Sequence, residues 1–275
     1  MKSLLVVAFS IRLLFPIICW VFNQHSPDCY YEPDSERYIQ LANNLFEKFR
    51  FETNSIPEIV RTPGYPLFMA LALFFGSFPW NILVLQGSIS MFTVYLVYLV
   101  ALEISKDKRS SRIAAWLYTF EPLSIIFSSK LLSETLFAFF LILGLYFLVR
   151  DFDKNRIILY LLGLLFLNLS SYVRPVAYYF PILTIICFFL FEVLHKKKAI
   201  KKVLFKSLLG LVLSVIVLGL WHLRNFNAVE YEGFSAVRER NFYFYRAAAI
   251  QSKLQKVPLS QVQREMGYHD WNQYF

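Results

Sequence analysis

Apolar positions in this chain come in long unbroken runs rather than in alternating stripes. Runs at about 3–22, 80–104, 113–129, 131–149, 157–173, 175–194 and 203–222 each approach the ~20 residues a helix needs to cross a bilayer. A further apolar stretch occupies 64–78. Compact basic clusters separate the runs: Lys106, Lys108, Arg109 and Arg112; Arg150, Lys154 and Arg156; Lys196, Lys197, Lys198, Lys201 and Lys202. Short loops rich in Lys and Arg stay on the cytoplasmic side, as should Lys2. If 64–78 crossed the membrane, the first cluster and every later one would fall outside. The pattern therefore predicts an all-α, polytopic membrane protein with about seven transmembrane helices. Its N-terminus lies inside and its C-terminus outside, and 64–78 rests in the outer interface or re-enters it.

Composition agrees with the pattern. Of 275 residues, 57% are hydrophobic, 19% aromatic and only 17% charged, which excludes an ordinary soluble domain. The net charge of +9 sits in short, separated loops, so nucleic acid is not an expected partner. Cys19, Cys29 and Cys187 have neither disulfide-framework nor metal-ligand spacing. The first apolar run contains Arg12 and Pro16 and no small-x-small cleavage site, which predicts an uncleaved first span.

The chain divides at about Asn225 into a transmembrane module, 1–225, and an outward-facing tail, 226–275. Within the module, the outer loop 23–79 is expected to carry interfacial helices. From Pro33, Tyr38, Leu41, Ala42, Leu45 and Phe49 recur at helical spacing. Asp34 precedes that helix, either as an N-cap or as a carboxylate held at the membrane surface as a general base. The motif RTPGYP, residues 61–66, then turns the chain onto the membrane surface, its prolines setting direction and Gly64 relieving crowding. The outer level also collects Lys130, Ser133 and Glu134 in SSKLLSETLF, Arg174 in YVRP, and Trp221, Arg224 and Asn225 in WHLRN. One by one, such residues are snorkelling cations, belt aromatics, or an i, i+4 pair of Lys130 with Glu134. Taken jointly, Arg61, Arg174 and Arg224 lie where the positive-inside bias disfavours arginine. With the neighbouring carboxylates they suit a phosphate anion beside acid–base chemistry.

At these residues the chain resembles the membrane-embedded GT-C glycosyltransferases. The resemblance is to the family 39 group that includes protein O-mannosyltransferases and the lipid A aminoarabinose transferase. The matching pieces occur in family order over 34–225: Asp34 with Glu36 and Tyr38, RTPGYPLFMAL, SETLF, YVRP, and Trp221, Arg224, Asn225. The resemblance implies transfer of a sugar from a polyprenyl-phosphate carrier to an acceptor hydroxyl at the outer face, with inversion. It implies Asp34 as catalytic base and Arg61, Arg174 and Arg224 as binders of the carrier phosphate. Glu36, Tyr38, Tyr65, Lys130 and Glu134 would be supporting residues. The acceptor would be a lipid, glycan or protein, and the setting the bacterial inner (plasma) membrane. No cofactor is required. Some members of the wider class use a divalent metal, but this chain shows no compact ligand cluster. The acidic pair departs from the mannosyltransferases, being spaced Asp-Ser-Glu rather than adjacent. Relatives usually continue into further spans or a soluble domain, so a non-catalytic or truncated paralogue is one alternative. A lipid-linked sugar flippase is the other; its deep polar candidates are Arg12 and Glu121.

Overall fold

The computed structural model describes residues 1–195 and 199–268. Lys196, Lys197 and Lys198 of the third basic cluster lie outside these, as do the last seven residues of the tail. The described chain is helical apart from a two-residue ladder, β1 (Glu52–Thr53) against β2 (Ile56–Pro57).

Five helices are long and apolar enough to cross a membrane. They are α1 (Lys2–Phe22), α4 (Trp80–Ser105), α7 (Glu134–Lys154), α9 (Phe180–Leu194, with the turn before it) and α10 (Ile200–Val229). The chain is therefore a multi-pass membrane protein. α8 (Ile157–Val173) is apolar, but its 17 residues rise only about 26 Å. The expected span at 113–129 is not one helix. It is divided into α5 (Lys108–Thr119) and α6 (Pro122–Ser128). So two of the seven expected crossings are made of shorter pieces.

The break has a clear cause. Pro122 has no N–H to offer the Tyr118 carbonyl four residues back. Arg12, fully buried on α1, supplies the missing donors. Its Nη2 donates to Tyr118 O at 3.3 Å, its Nη1 to Thr119 O at 3.2 Å, and its Nε to Ser90 Oγ at 2.5 Å. Glu121 caps α6 through the N–H groups of Leu123 and Ser124. The two deep polar residues of the flippase alternative thus repair a broken helix inside the bundle.

The helices order the loops into two ends. At one end, Glu103 of α4 meets Lys106 at 3.3 Å and Arg150 of α7 at 3.7 Å, so the first two basic clusters adjoin. The other end holds 23–79, the turn at 129–133, residues 174–179 and the segment after α10. There α2 (Ser35–Lys48) buries Tyr38, Leu41 and Ala42 against α3 (Gly64–Ala72). Phe49 does not continue that buried face. It closes α2 in the left-handed conformation at φ 55° and is 90% exposed. At nine residues α3 is about 14 Å long, far short of a ~30 Å hydrocarbon core.

Candidate functional site

Six of the residues named from the outer loops converge on one cavity of about 250 Å³. Its walls include Asp34, Tyr38, Arg61, Ser133, Glu134 and Arg174. These come from four separate stretches of sequence, and each is brought in by an identifiable local cause.

Asp34 stands at the N-cap position of α2, yet its side chain makes no capping hydrogen bond. Its carboxylate instead accepts from Arg61 Nη2. Arg61 is mostly buried, whereas Asp34 is 47% exposed, so the carboxylate is the reachable partner. The loop carrying Arg61 is held by Glu58, which sequence reasoning missed. Glu58 is 1% exposed and accepts from Val60 N at 2.7 Å and Arg61 N at 3.0 Å. Arg37 neutralises it at 2.6 Å. The pair is 21 residues apart in sequence, and no short-range spacing marks it.

RTPGYP explains itself at Gly64. A Cβ there would lie 2.7 Å from Tyr172 O, so only glycine lets α3 begin against the end of α8. That contact sets Arg61, three residues before Gly64, beside Arg174, the residue that ends α8. Arg174 pairs with Glu134, the first residue of α7. A carboxylate at a helix N-terminus is favoured by the helix dipole. The second oxygen of Glu134 is buried and has no hydrogen-bond partner among the described residues. Tyr38 lies under the site, its ring 5.6 Å from the Arg61 guanidinium and 4.9 Å from the Tyr65 ring. Burial pushes the Tyr38 phenol above its ordinary range, against the opposing pull of Arg61.

The remaining candidates lie elsewhere. Tyr65 is fully buried below the cavity, donating to Gln86 Oε1 at 2.6 Å, while Gln86 Nε2 donates to Lys130 O at 2.7 Å. Lys130 pairs with Glu32 at 2.8 Å, not with Glu134. Glu36 is exposed on the first turn of α2 and does not line the cavity. Arg224 is also absent from the lining. It donates to the backbone oxygens of Glu58 at 2.5 Å and Phe51 at 2.8 Å, and sits over the Trp221 ring at 4.9 Å. Its guanidinium thereby ties the 51–58 hairpin to α10. Among the described residues, no group of three or more His, Cys, Asp or Glu is placed to hold a metal.

The cavity does not end at Arg174. Pro175, Val176 and Val237 are shared with a second cavity of about 380 Å³ lined by Tyr178, Tyr179, His222 and Phe234. Those first three, Tyr178, Tyr179 and His222, are shared in turn with a groove of about 360 Å³ between α9 and α10. That groove is walled by Ile182, Leu211, Val215 and Leu218. A charged pocket, an aromatic cavity and an apolar groove along two membrane helices thus share walls in succession.

No curated protein and no solved structure matches the chain. Residues 60–222, more than half of it, match the family described as dolichyl-phosphate-mannose-protein mannosyltransferase. The matched stretch runs from the Arg61 loop through Glu134 and Arg174 to His222 in the wall of the aromatic cavity, and the chain belongs to this family of membrane glycosyltransferases.

Proposed function

We propose that the protein transfers a sugar from a polyprenyl-phosphate carrier to an acceptor hydroxyl, with inversion, at the outer face of the bacterial inner membrane. The observation that carries this reading is the pairing of two carboxylates with two arginines around one cavity, with an apolar groove beyond the neighbouring aromatic cavity. An anionic headgroup on a long hydrocarbon chain fits both halves of that arrangement. The basic loops at the opposite end of the bundle support the orientation.

Asp34 acts as the base. It takes the proton of the acceptor hydroxyl as that oxygen forms a bond to the anomeric carbon. The bond from that carbon to the phosphate oxygen breaks, and the electron pair leaves with the polyprenyl phosphate. Arg61 and Arg174 neutralise the leaving phosphate, which needs charge compensation rather than a proton. Both arginines are paired with carboxylates. An incoming phosphate competes for them, and Arg61 releases Asp34 as it turns to the donor. Arg224 serves by fixing the loop that carries Arg61 rather than by meeting the phosphate.

The test is mass spectrometry of envelope glycans and glycolipids in a deletion strain complemented with the wild-type chain or with Asp34→Asn, at matched membrane levels. Restoration of a missing sugar by the wild type alone is the expected result. If neither chain alters any glycan, the transferase reading falls.

A further inference from the structure

The family match ends at residue 222, but the cavity does not. Val237 and Asn241 complete its wall, and both belong to α11 (Val237–Asn241) in the segment after α10. This segment is stitched to the site from two sides. Ser235 Oγ donates to Val60 O at 2.6 Å, and Ala236 N donates to Ile59 O at 3.0 Å, directly beside Arg61. From α10, Asn225 Nδ2 donates to Gly233 O at 3.0 Å and Phe234 O at 3.2 Å. Ile59, Val60, Ala236 and Phe244 form one buried apolar cluster beneath it. The wall is therefore built, not draped.

Asn241 has the features of a ligand-facing residue. It is exposed into the cavity, and its side chain makes no capping bond, although it stands where α11 passes into a π-helical turn, Phe242–Ala247. Such turns re-aim side chains and recur at functional sites. An amide offers a donor and an acceptor together, which matches a hydroxyl that must be held while it loses its proton. Asn241 and Asp34 line the same cavity, so the amide and the base face one space. Pro175 and Val176, with Val237, are shared with the aromatic cavity, which in turn shares Tyr178, Tyr179 and His222 with the apolar groove.

We infer that the Asn241 end of α11 forms the acceptor side of the site and that Asn241 orients the acceptor hydroxyl toward Asp34. The donor enters from the groove between α9 and α10, and the acceptor from the side of α11. This rests on the transferase reading above.

The experiment uses the full chain in proteoliposomes with polyprenyl-phosphate [³H]mannose, and membranes of the deletion strain as acceptor source. Acceptor-linked label and free mannose released by water are measured separately. For Asn241→Ala, the ratio of acceptor-linked to free mannose falls about tenfold, the scale of one lost hydrogen bond in the transition state. Asn241→Gln recovers part of the ratio. Asn241→Asp adds a third carboxylate to the cavity and lowers the ratio as Ala does. If Asn241→Ala leaves the ratio at the wild-type value, whether both products fall together or neither falls, the assignment is overturned. If the wild-type chain yields neither product, the transferase reading itself is overturned, and this inference with it.

Discussion

The two ends of α7 carry two ionic clusters about 26 Å apart, by helical rise from Glu134 to Asp151. At one end, Asp34–Arg61 and Glu134–Arg174 are partly exposed and line a cavity. At the other, Lys206 reaches Asp151 at 2.5 Å and Glu192 at 3.9 Å, with both carboxylates sealed at 0% and 1% exposure. Lys206 also lies 4.5 Å from the Phe188 ring centre and 4.9 Å from that of Tyr160. The sealed cluster is the more buried, and by burial alone it would look the more special. It uses a lysine and lines none of the three cavities described above. The open cluster uses arginines, whose planar forks suit bidentate exchange between carboxylate and phosphate. Reachability and ion type, rather than burial, separate a site from a structural clasp.

Substitutions can break or sharpen this contrast, and they rank by size. The largest effect is expected for Asp34→Asn: activity falls ~100-fold or more, the scale of a lost general base, with normal membrane levels. Turnover per folded molecule, measured by label transfer, checks it; near-normal turnover would return Asp34 to a structural role. Lys206→Met should act on stability instead, because it removes the cation between two buried carboxylates, at a cost of ~3–5 kcal/mol. Detergent-titrated unfolding should show the loss while activity of the surviving folded protein is kept; lost activity at full stability would erase the distinction drawn above. Arg61→Lys and Arg174→Lys keep the charge but lose the fork, and each should lower kcat/KM on the order of tenfold. A double Lys variant no worse than either single one would count against two independent phosphate contacts.

Gly64→Ala forces a Cβ to within 2.7 Å of Tyr172 O, so α3 must shift away from α8. A cost of ~1–3 kcal/mol is expected, with a fall in activity as Arg61 leaves Arg174. A stable, fully active Gly64→Ala protein would show that the spacing of the two arginines matters little. The smallest effect belongs to Lys130→Gln. Its pair with Glu32 is partly exposed, so less than ~1 kcal/mol is expected, and transfer rates should match the wild type.

Much of the fold could be read along the chain because membrane helices are local objects. Each satisfies its own backbone and advertises itself by a continuous apolar run. The break at Pro122 was not evident in this way. A single proline inside an apolar run is compatible with a kinked span, and its repair depends on Arg12, some 110 residues earlier. Asp34, Arg61, Glu134 and Arg174 stood out because charges at span ends are conspicuous against apolar surroundings. Glu58 and Asn241 did not, because both lie in polar segments where one more polar residue carries no signal. Arg224 and Tyr65 stood out equally well but were drawn into neighbouring contacts away from the cavity.

By itself, then, the sequence determined the helices, their apolar lengths, the loops where charge gathers and the membrane class. These follow from periodicity, hydropathy and backbone chemistry within about twenty residues. Only the tertiary structure decided which charges face one another. Asp34 can cap α2 or meet Arg61, and Glu134 can pair with Lys130 or Arg174; each choice is between contacts of similar intrinsic strength. The tie is settled by long-range packing, above all by the approach of Gly64 to Tyr172, which places two arginines and two carboxylates around the same space.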